Sequence, residues 1–198
     1  MSEVPEGVDL SGFVRKPPRP TATMTLTRDG PNGPEVLLGL RSETMAAFPG
    51  YWAFTGGGVS RVDGAAVESF SVLDVEHGKF IACILRETCE ELGVAPNGDH
   101  LISIDENARF DVIKDKANWL PHAEDCNIPV NVDNINILGH RITPPFGPVQ
   151  FDNAFIHFHC GDWQSVPEFD LEPQTEFDDV MWARPQDILE SWSKHEIK

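Results

Sequence analysis

The sequence predicts an α/β fold. Three observations carry that expectation: short apolar segments separated by turn residues, an amphipathic helix pattern over 79–92 that stops at Gly93, and a second helix opened by Pro185. Strands are expected near 22–27, 35–41, 51–55, 100–110, 135–143, 153–160 and 179–183, and helices near 79–92 and 185–194. Alternation of this kind is compatible with several α/β architectures.

Taken in order, 1–20 reads as an extended lead-in, because Arg15-Lys16-Pro17-Pro18-Arg19-Pro20 is too proline-rich for a helix. A single domain is expected over 21–198, with insertions near 60–77 and 114–133. The first insertion carries Asp63-Gly64 and reads as a surface loop or short extra turn. The second is polar, proline-punctuated and too long for an ordinary connection, which suits a lid, a short helix or a partner surface.

At 198 residues with ordinary apolar content, the chain can bury a sizeable core. Its net charge of −17, from 15 basic and 32 acidic residues, argues against a general nucleic-acid binder, which needs a basic stripe. The acidity is equally compatible with simple solubility. No signal-type start and no run of eighteen apolar residues is present, so a cytoplasmic protein without membrane association is expected. Cys83, Cys89, Cys126 and Cys160 form no C-x-x-C pair and read as reduced thiols.

The chemistry concentrates in Arg86-Glu87-Thr88-Cys89-Glu90-Glu91-Leu92-Gly93-Val94. At about 100° per residue, Glu87, Glu90 and Glu91 share one side of a helix while Ile81, Leu85, Cys89 and Leu92 share the other. Three carboxylates on one turn repel one another unless a cation offsets them, and hard cations such as magnesium or manganese take oxygen ligands. Arg86, four residues before Glu90, can pair with it, and Gly93 suits a left-handed helix stop. An acidic helix face is also compatible with plain solvation.

Upstream lies Gly50-Tyr51-Trp52-Ala53-Phe54-Thr55-Gly56-Gly57-Gly58, where glycines let the backbone approach a ligand or ion. Together the two segments resemble the Nudix hydrolase box, in which a Gly-Gly turn leads into Arg-Glu-apolar-any-Glu-Glu-any-Gly-apolar. The second half fits at every charged and glycine position. The first half is stretched: the box sets its second glycine fourteen residues before the arginine, whereas Gly57 and Arg86 are 86 − 57 = 29 apart. Gly78 stands where the family places a glutamate, eight residues before the arginine, with Glu76 nearby.

A box lengthened at this place is also found in coenzyme A and acyl-coenzyme A diphosphatases. Leu37-Leu38-Gly39-Leu40-Arg41-Ser42 with Phe54-Thr55-Gly56-Gly57, and Arg141-Ile142-Thr143-Pro144-Pro145 with Phe151-Asp152-Asn153-Ala154-Phe155, are similar to that branch's motifs. Gln150 replaces an expected arginine, Thr55 a proline, and Ala46-Ala47 a stretch that is usually basic.

The resemblance implies an α/β/α sandwich with a mixed β-sheet, and hydrolysis of a pyrophosphate linkage with Mg2+ or Mn2+. Metal would be held by Glu87, Glu90, Glu91 and the Gly57 carbonyl, with Arg86 orienting Glu90. Catalytic roles fall to Glu87, Glu90, Arg86 and a distal carboxylate. Glu176, in the loop before the Trp182 strand, is the first choice for the latter and Glu172 the reserve. Substrate contacts are expected from Arg41, Phe54, Gly56 and Gly58. The expected partner is a small-molecule nucleoside diphosphate derivative, coenzyme A or otherwise, with a homodimer left open. A non-hydrolytic nucleotide-binding module is the alternative from another class.

Two further groupings are weaker. His157 and His159 share a sheet face by the period of two, without the second ligand pair that structural zinc needs. His122, Glu124, Asp125 and Cys126 form a loose cluster that reads as surface.

Overall fold

The computed structural model describes residues 17–66, 75–115, 119–128, 132–144, 149–172 and 176–198. Its centre is strand β1 (Arg19–Gly30), in which Ala22, Met24 and Leu26 are buried at every second position while Thr21, Thr23, Thr25 and Thr27 face the other way. The two-residue Pro31-Asn32 connection turns the chain into β2 (Gly33–Arg41), which pairs antiparallel with β1 through Thr27–Val36 to Gly30–Gly33. Strands β3 (Trp52–Ala53) and β4 (Thr55–Gly58) follow. β3 pairs with β2, and β4 pairs antiparallel with the first half of β1.

On its opposite edge β1 runs parallel to the long strand β8 (Phe151–Asp162), and β8 pairs antiparallel with β7 (Asn136–Ile142). β9 (Phe177–Ala183) pairs antiparallel with β2, completing a seven-stranded mixed sheet. Such a sheet is what the expected fold class requires.

The buried sheet face meets helix α2 (Val75–Leu92), whose Phe80, Ile81, Ile84, Leu85, Cys89 and Leu92 join Met24, Leu26, Ile156 and Phe158 in one core. Full burial of each large apolar side chain contributes about 1.5–3 kcal/mol, so this contact anchors α2 to the sheet. α2 begins four residues before the helix expected from the sequence. Gly93 ends it at φ +66, the left-handed stop its position suggested. Helix α5 (Pro185–Ser193) opens with proline in its first turn and contacts β2.

The strand expected over 100–110 is corrected. After β5 (Val94–Asn97), strand β6 covers only His100–Ser103, and α3 (Glu106–Lys114) replaces the rest. Asp105 decides the change: its carboxylate accepts hydrogen bonds from the backbone N–H groups of Asn107 and Ala108, capping a helix whose buried Ala108 and Val112 stand four residues apart. Of the three readings of 114–133, the described residues include a short helix, α4 (Trp119–Asp125), with Trp119, Leu120 and Ala123 buried in the core.

The first insertion is also corrected in part. Of the two readings, loop or short extra turn, residues 61–66 take the second as helix α1 (Arg61–Ala66), with Asp63 buried and not at the surface, and 67–74 lie outside the described residues. Most of the lead-in lies outside them too, while Arg19 and Pro20 already belong to β1. Among the described residues no helix is long and apolar enough to cross a membrane.

Candidate active site

The last turns of α2 are largely buried beside a cavity, so the carboxylate face is not a plain solvated surface. Glu90 and Glu91 are only 6% and 4% exposed, and Arg86 3%. Glu91 sits under the glycine turn: the Thr55 hydroxyl and the Gly56 N–H, the latter at 3.0 Å, both donate to its Oε2. Burial, reinforced by the charge of Glu87, pushes the Glu91 carboxyl well above the ordinary carboxylate range despite these donors.

Arg86 has more to do than orient Glu90. It pairs with Glu90 at 3.3 Å and Glu87 at 2.9 Å, and it grips Asp63 through Nε to Oδ1 at 2.9 Å and Nη2 to Oδ2 at 3.1 Å. Burial by itself would lower the Arg86 pKa, but the bonds to Asp63 and the surrounding carboxylates hold it above its ordinary value.

Asp63 corrects the reading of the box glutamate. Counted back from Arg86 that position falls on Gly78; counted forward from Gly57 it is fourteen minus eight, or six, residues on, which is Asp63. The inserted residues lie between the carboxylate and the arginine it serves. Asp63 is fully buried, and its Oδ2 also accepts from the N–H and hydroxyl of Ser60, the residue just before α1. The sequence held the clue in its forward count.

The glycines are required by their neighbours. Gly56 has φ +149, and a Cβ there would lie 2.2 Å from the Ala22 carbonyl oxygen. At Gly57 a Cβ would lie 2.3 Å from Glu87 Oε1, so the helix carboxylate rests directly on the turn. The Cys83 thiol approaches the Gly57 carbonyl at 3.8 Å, and burial, with Glu87 and Asp63 beside it, raises its pKa far from reactive values.

These groups form one end of a cavity of about 1020 Å³, lined there by Arg41, Gly56, Gly57, Gly58, Glu87, Glu90, Glu91 and Glu176. Phe54 and Glu172 do not line it. Arg41 Nη2 pairs with Glu176 at 3.4 Å while its Nε donates to the Ala47 carbonyl. Glu176 is placed by its neighbour Phe177, whose buried ring occupies the space a side chain at Gly39 would need, 2.5 Å from a Cβ there.

Sequence reasoning missed Arg109, which it placed on a strand. On α3 it is 1% exposed, donates to the backbone carbonyls of Glu90 at 2.7 Å and Glu172 at 2.6 Å, and pairs with Asp170 at 3.1 Å. It ties the end of α2 to the segment ahead of Glu176. Only the Asp105 cap, which turns Arg109 inward, could have revealed it.

Among the described residues, no group of three or more His, Cys, Asp and Glu is arranged to hold a metal ion. Glu90 is drawn to Arg86, and Glu91 to Thr55 and Gly56. His157 Nε2 and His159 Nδ1 both meet the Thr27 hydroxyl, at 2.8 and 3.1 Å, as sheet-face histidines. All four cysteines are free.

No family model and no curated protein matches the chain. Solved structures do. A Nudix hydrolase from Alicyclobacillus acidocaldarius is 25% identical, with a TM-score of 0.78 over 93% of this chain and 87% of its own. The NUDIX domain of Shewanella oneidensis NrtR, crystallised with ADP ribose, is 15% identical, with a TM-score of 0.50 over 93% and 82% of the two chains; this likeness concerns the fold alone. The chain therefore has the Nudix fold. The class it defines, with an Arg-Glu and Glu-Glu pair on the helix beneath a glycine turn, is a pyrophosphohydrolase.

Proposed function

We propose that this protein hydrolyses the pyrophosphate linkage of a nucleoside diphosphate derivative, using Mg2+ or Mn2+ held by Glu87, Glu90, Glu91 and the Gly57 carbonyl. The observation that supports this reading is that these groups line the same end of the cavity, with Glu87 against the only kind of residue that leaves it room. The donor set is entirely oxygen, which suits a hard cation, and a buried Glu91 with a raised pKa is a carboxyl that gains from one. When bound, such a cation offsets phosphate charge and lowers the pKa of water.

The chain's own residues supply the rest. Arg86, held from behind by Asp63, restrains Glu87 and Glu90; Thr55 and Gly56 restrain Glu91. Glu87 or Glu176 accepts the proton of the attacking water. Water adds to one phosphorus, the bridging P–O bond breaks, and two phosphate-terminated products leave. Arg41, already beside Glu176, stands at the same end to meet a phosphate oxygen.

Coenzyme A or an acyl-coenzyme A is the finer reading of the substrate. Its support is the lengthened box together with the 141–144 segment and Phe151, Asn153 and Phe155, which line the cavity. Gln150 and Ala46-Ala47, where that branch carries cations, favour a second reading as a pyrophosphatase for ADP-ribose, dinucleotides or nucleotide sugars. The test is product analysis on such a panel with each metal, and with Glu91→Gln as control. Metal-dependent release of 3′,5′-ADP from coenzyme A, lost in the variant, supports the first reading. Cleavage of the other substrates alone supports the second. Silence across the panel from folded, metal-loaded protein would shift the assignment to a non-hydrolytic nucleotide-binding module.

A further inference from the structure

A row of residues that crosses four strands leads from the carboxylate end of the cavity toward its far end. Gly58 on β4 pairs with Thr21 on β1, Thr21 with Asn153 on β8, and Asn153 with Arg141 on β7. All four line the cavity. Adjacent strands lie about 4.8 Å apart, so three steps place the Arg141 backbone about 14 Å from the glycine turn. The long arginine stem then lets the guanidinium stand roughly a nucleoside's length from the carboxylate end.

The groups along this row differ in what they have left to offer. Asn153 Oδ1 accepts from the hydroxyls of Thr21 at 2.9 Å and Thr23 at 3.2 Å, and its amide donates to Thr23 at 3.0 Å. That ladder keeps one amide hydrogen for a ligand, beside the Phe155 ring that shares the cavity wall. The arginines around the cavity are committed unequally. Arg86 is enclosed by Asp63, Glu87 and Glu90, and Arg41 is held by Glu176 and Ala47. Arg141 is exposed, and no carboxylate among the described residues lies within salt-bridge distance of it.

In a chain of net charge −17, an exposed arginine that lines a carboxylate-bearing cavity and has no carboxylate partner among the described residues is placed to meet an anion from outside. We infer that Arg141, with the Thr21–Asn153 ladder beside it, forms a subsite for a second phosphate, a phosphomonoester carried on the substrate away from the diphosphate that is cut. This rests on the pyrophosphohydrolase reading and specifies its substrate class: nucleoside diphosphate derivatives bearing an additional phosphate on the nucleoside. It also supplies a cation on the strand that pairs with β8, next to whose start Gln150 replaces one.

The test compares probes that differ only in that phosphate. Coenzyme A is set against its 3′-dephospho form, and NADP against NAD, using the full-length protein with Mg2+ and the variants Arg141→Gln and Arg141→Lys. The expected result is that Arg141→Gln lowers kcat/KM for a phosphorylated member about tenfold or more, while its unphosphorylated partner stays within about twofold. Lysine should restore part of the difference, and rising salt should shrink it. Equal loss on both members, or loss on neither, overturns the subsite. If the wild type cleaves no member, titration with 3′,5′-ADP and 5′-AMP separates the two ideas. Weakened binding of 3′,5′-ADP alone in Arg141→Gln supports the subsite while the hydrolase reading fails; unchanged binding of both overturns it. Because Arg141 is exposed, the variant should keep the wild-type urea midpoint, which serves as the folding control.

Discussion

Asp63 and Arg86 face each other through two parallel hydrogen bonds of 2.9 and 3.1 Å, across 23 positions of sequence, with side chains 0% and 4% exposed. The pair joins helix α1 to the carboxylate-bearing helix α2. It also sets the guanidinium so that its other edge meets Glu87 and Glu90. The segment that leads into the insertion is thus fastened at the carboxylate site.

Removing the aspartate leaves a buried cation without its main partner. Asp63→Ala should therefore destabilise the protein by about 3–5 kcal/mol, the range for breaking a buried ion pair, whereas Asp63→Asn, which can still accept one hydrogen bond, should cost less. Urea unfolding of both variants checks this. A loss below about 1 kcal/mol for the alanine variant would mean that Glu87 and Glu90 alone satisfy Arg86.

Neighbouring glycines should fail in different ways. A Cβ at Gly57 meets the end of the Glu87 side chain, which can move, so Gly57→Ala should leave the urea midpoint close to wild type while turnover falls about tenfold or more through a displaced carboxylate. At Gly56 the Cβ meets backbone at 2.2 Å and φ is +149, so Gly56→Ala should cost stability, on the order of 1–3 kcal/mol. Parallel melts and rate measurements separate the two. Equal stability losses would contradict the assignment of Gly57 to the site.

Acid should weaken the sheet face that carries His157. Burial, and then the charge of His159, lowers the His157 pKa from its ordinary value of 6.5, so the unfolded chain takes up the proton more readily than the folded one. Stability should then fall as pH drops through about 6.5 toward the lower folded value, and His157→Gln should flatten that part of the curve. Unfolding free energies at pH 7.5 and 5.5 for both proteins test it. The same slope in both would place the titrating group elsewhere.

Much of the site was legible because its spacing is local. The order Arg86, Glu87, Glu90, Glu91, Gly93 has a fixed meaning on a helix, where three and four residues make neighbours, and the Gly56-Gly57 turn announces close approach of another group. Glu176 could be nominated from the loop ahead of Trp182, and it does line the cavity with Arg41. Residues 100–110 were misread because Leu101, Ile102 and Ile104 extend a strand-like pattern up to Asp105, where a two-bond cap wins over propensity.

By itself, then, the sequence determined the elements whose geometry is set within a few residues: the carboxylate helix, its left-handed stop, the glycine turn and the alternating strands. Tertiary structure alone decided which side chains meet across long separations. Asp63 finds Arg86, Arg109 reaches the Glu90 and Glu172 carbonyls, and Arg141 joins the row from Gly58 through Thr21 and Asn153. The physical reason is that periodicity fixes which face a residue occupies, while strand register and the packing of α1 and α3 against α2 fix what lies opposite. Those depend on the whole buried core rather than on any local run of residues.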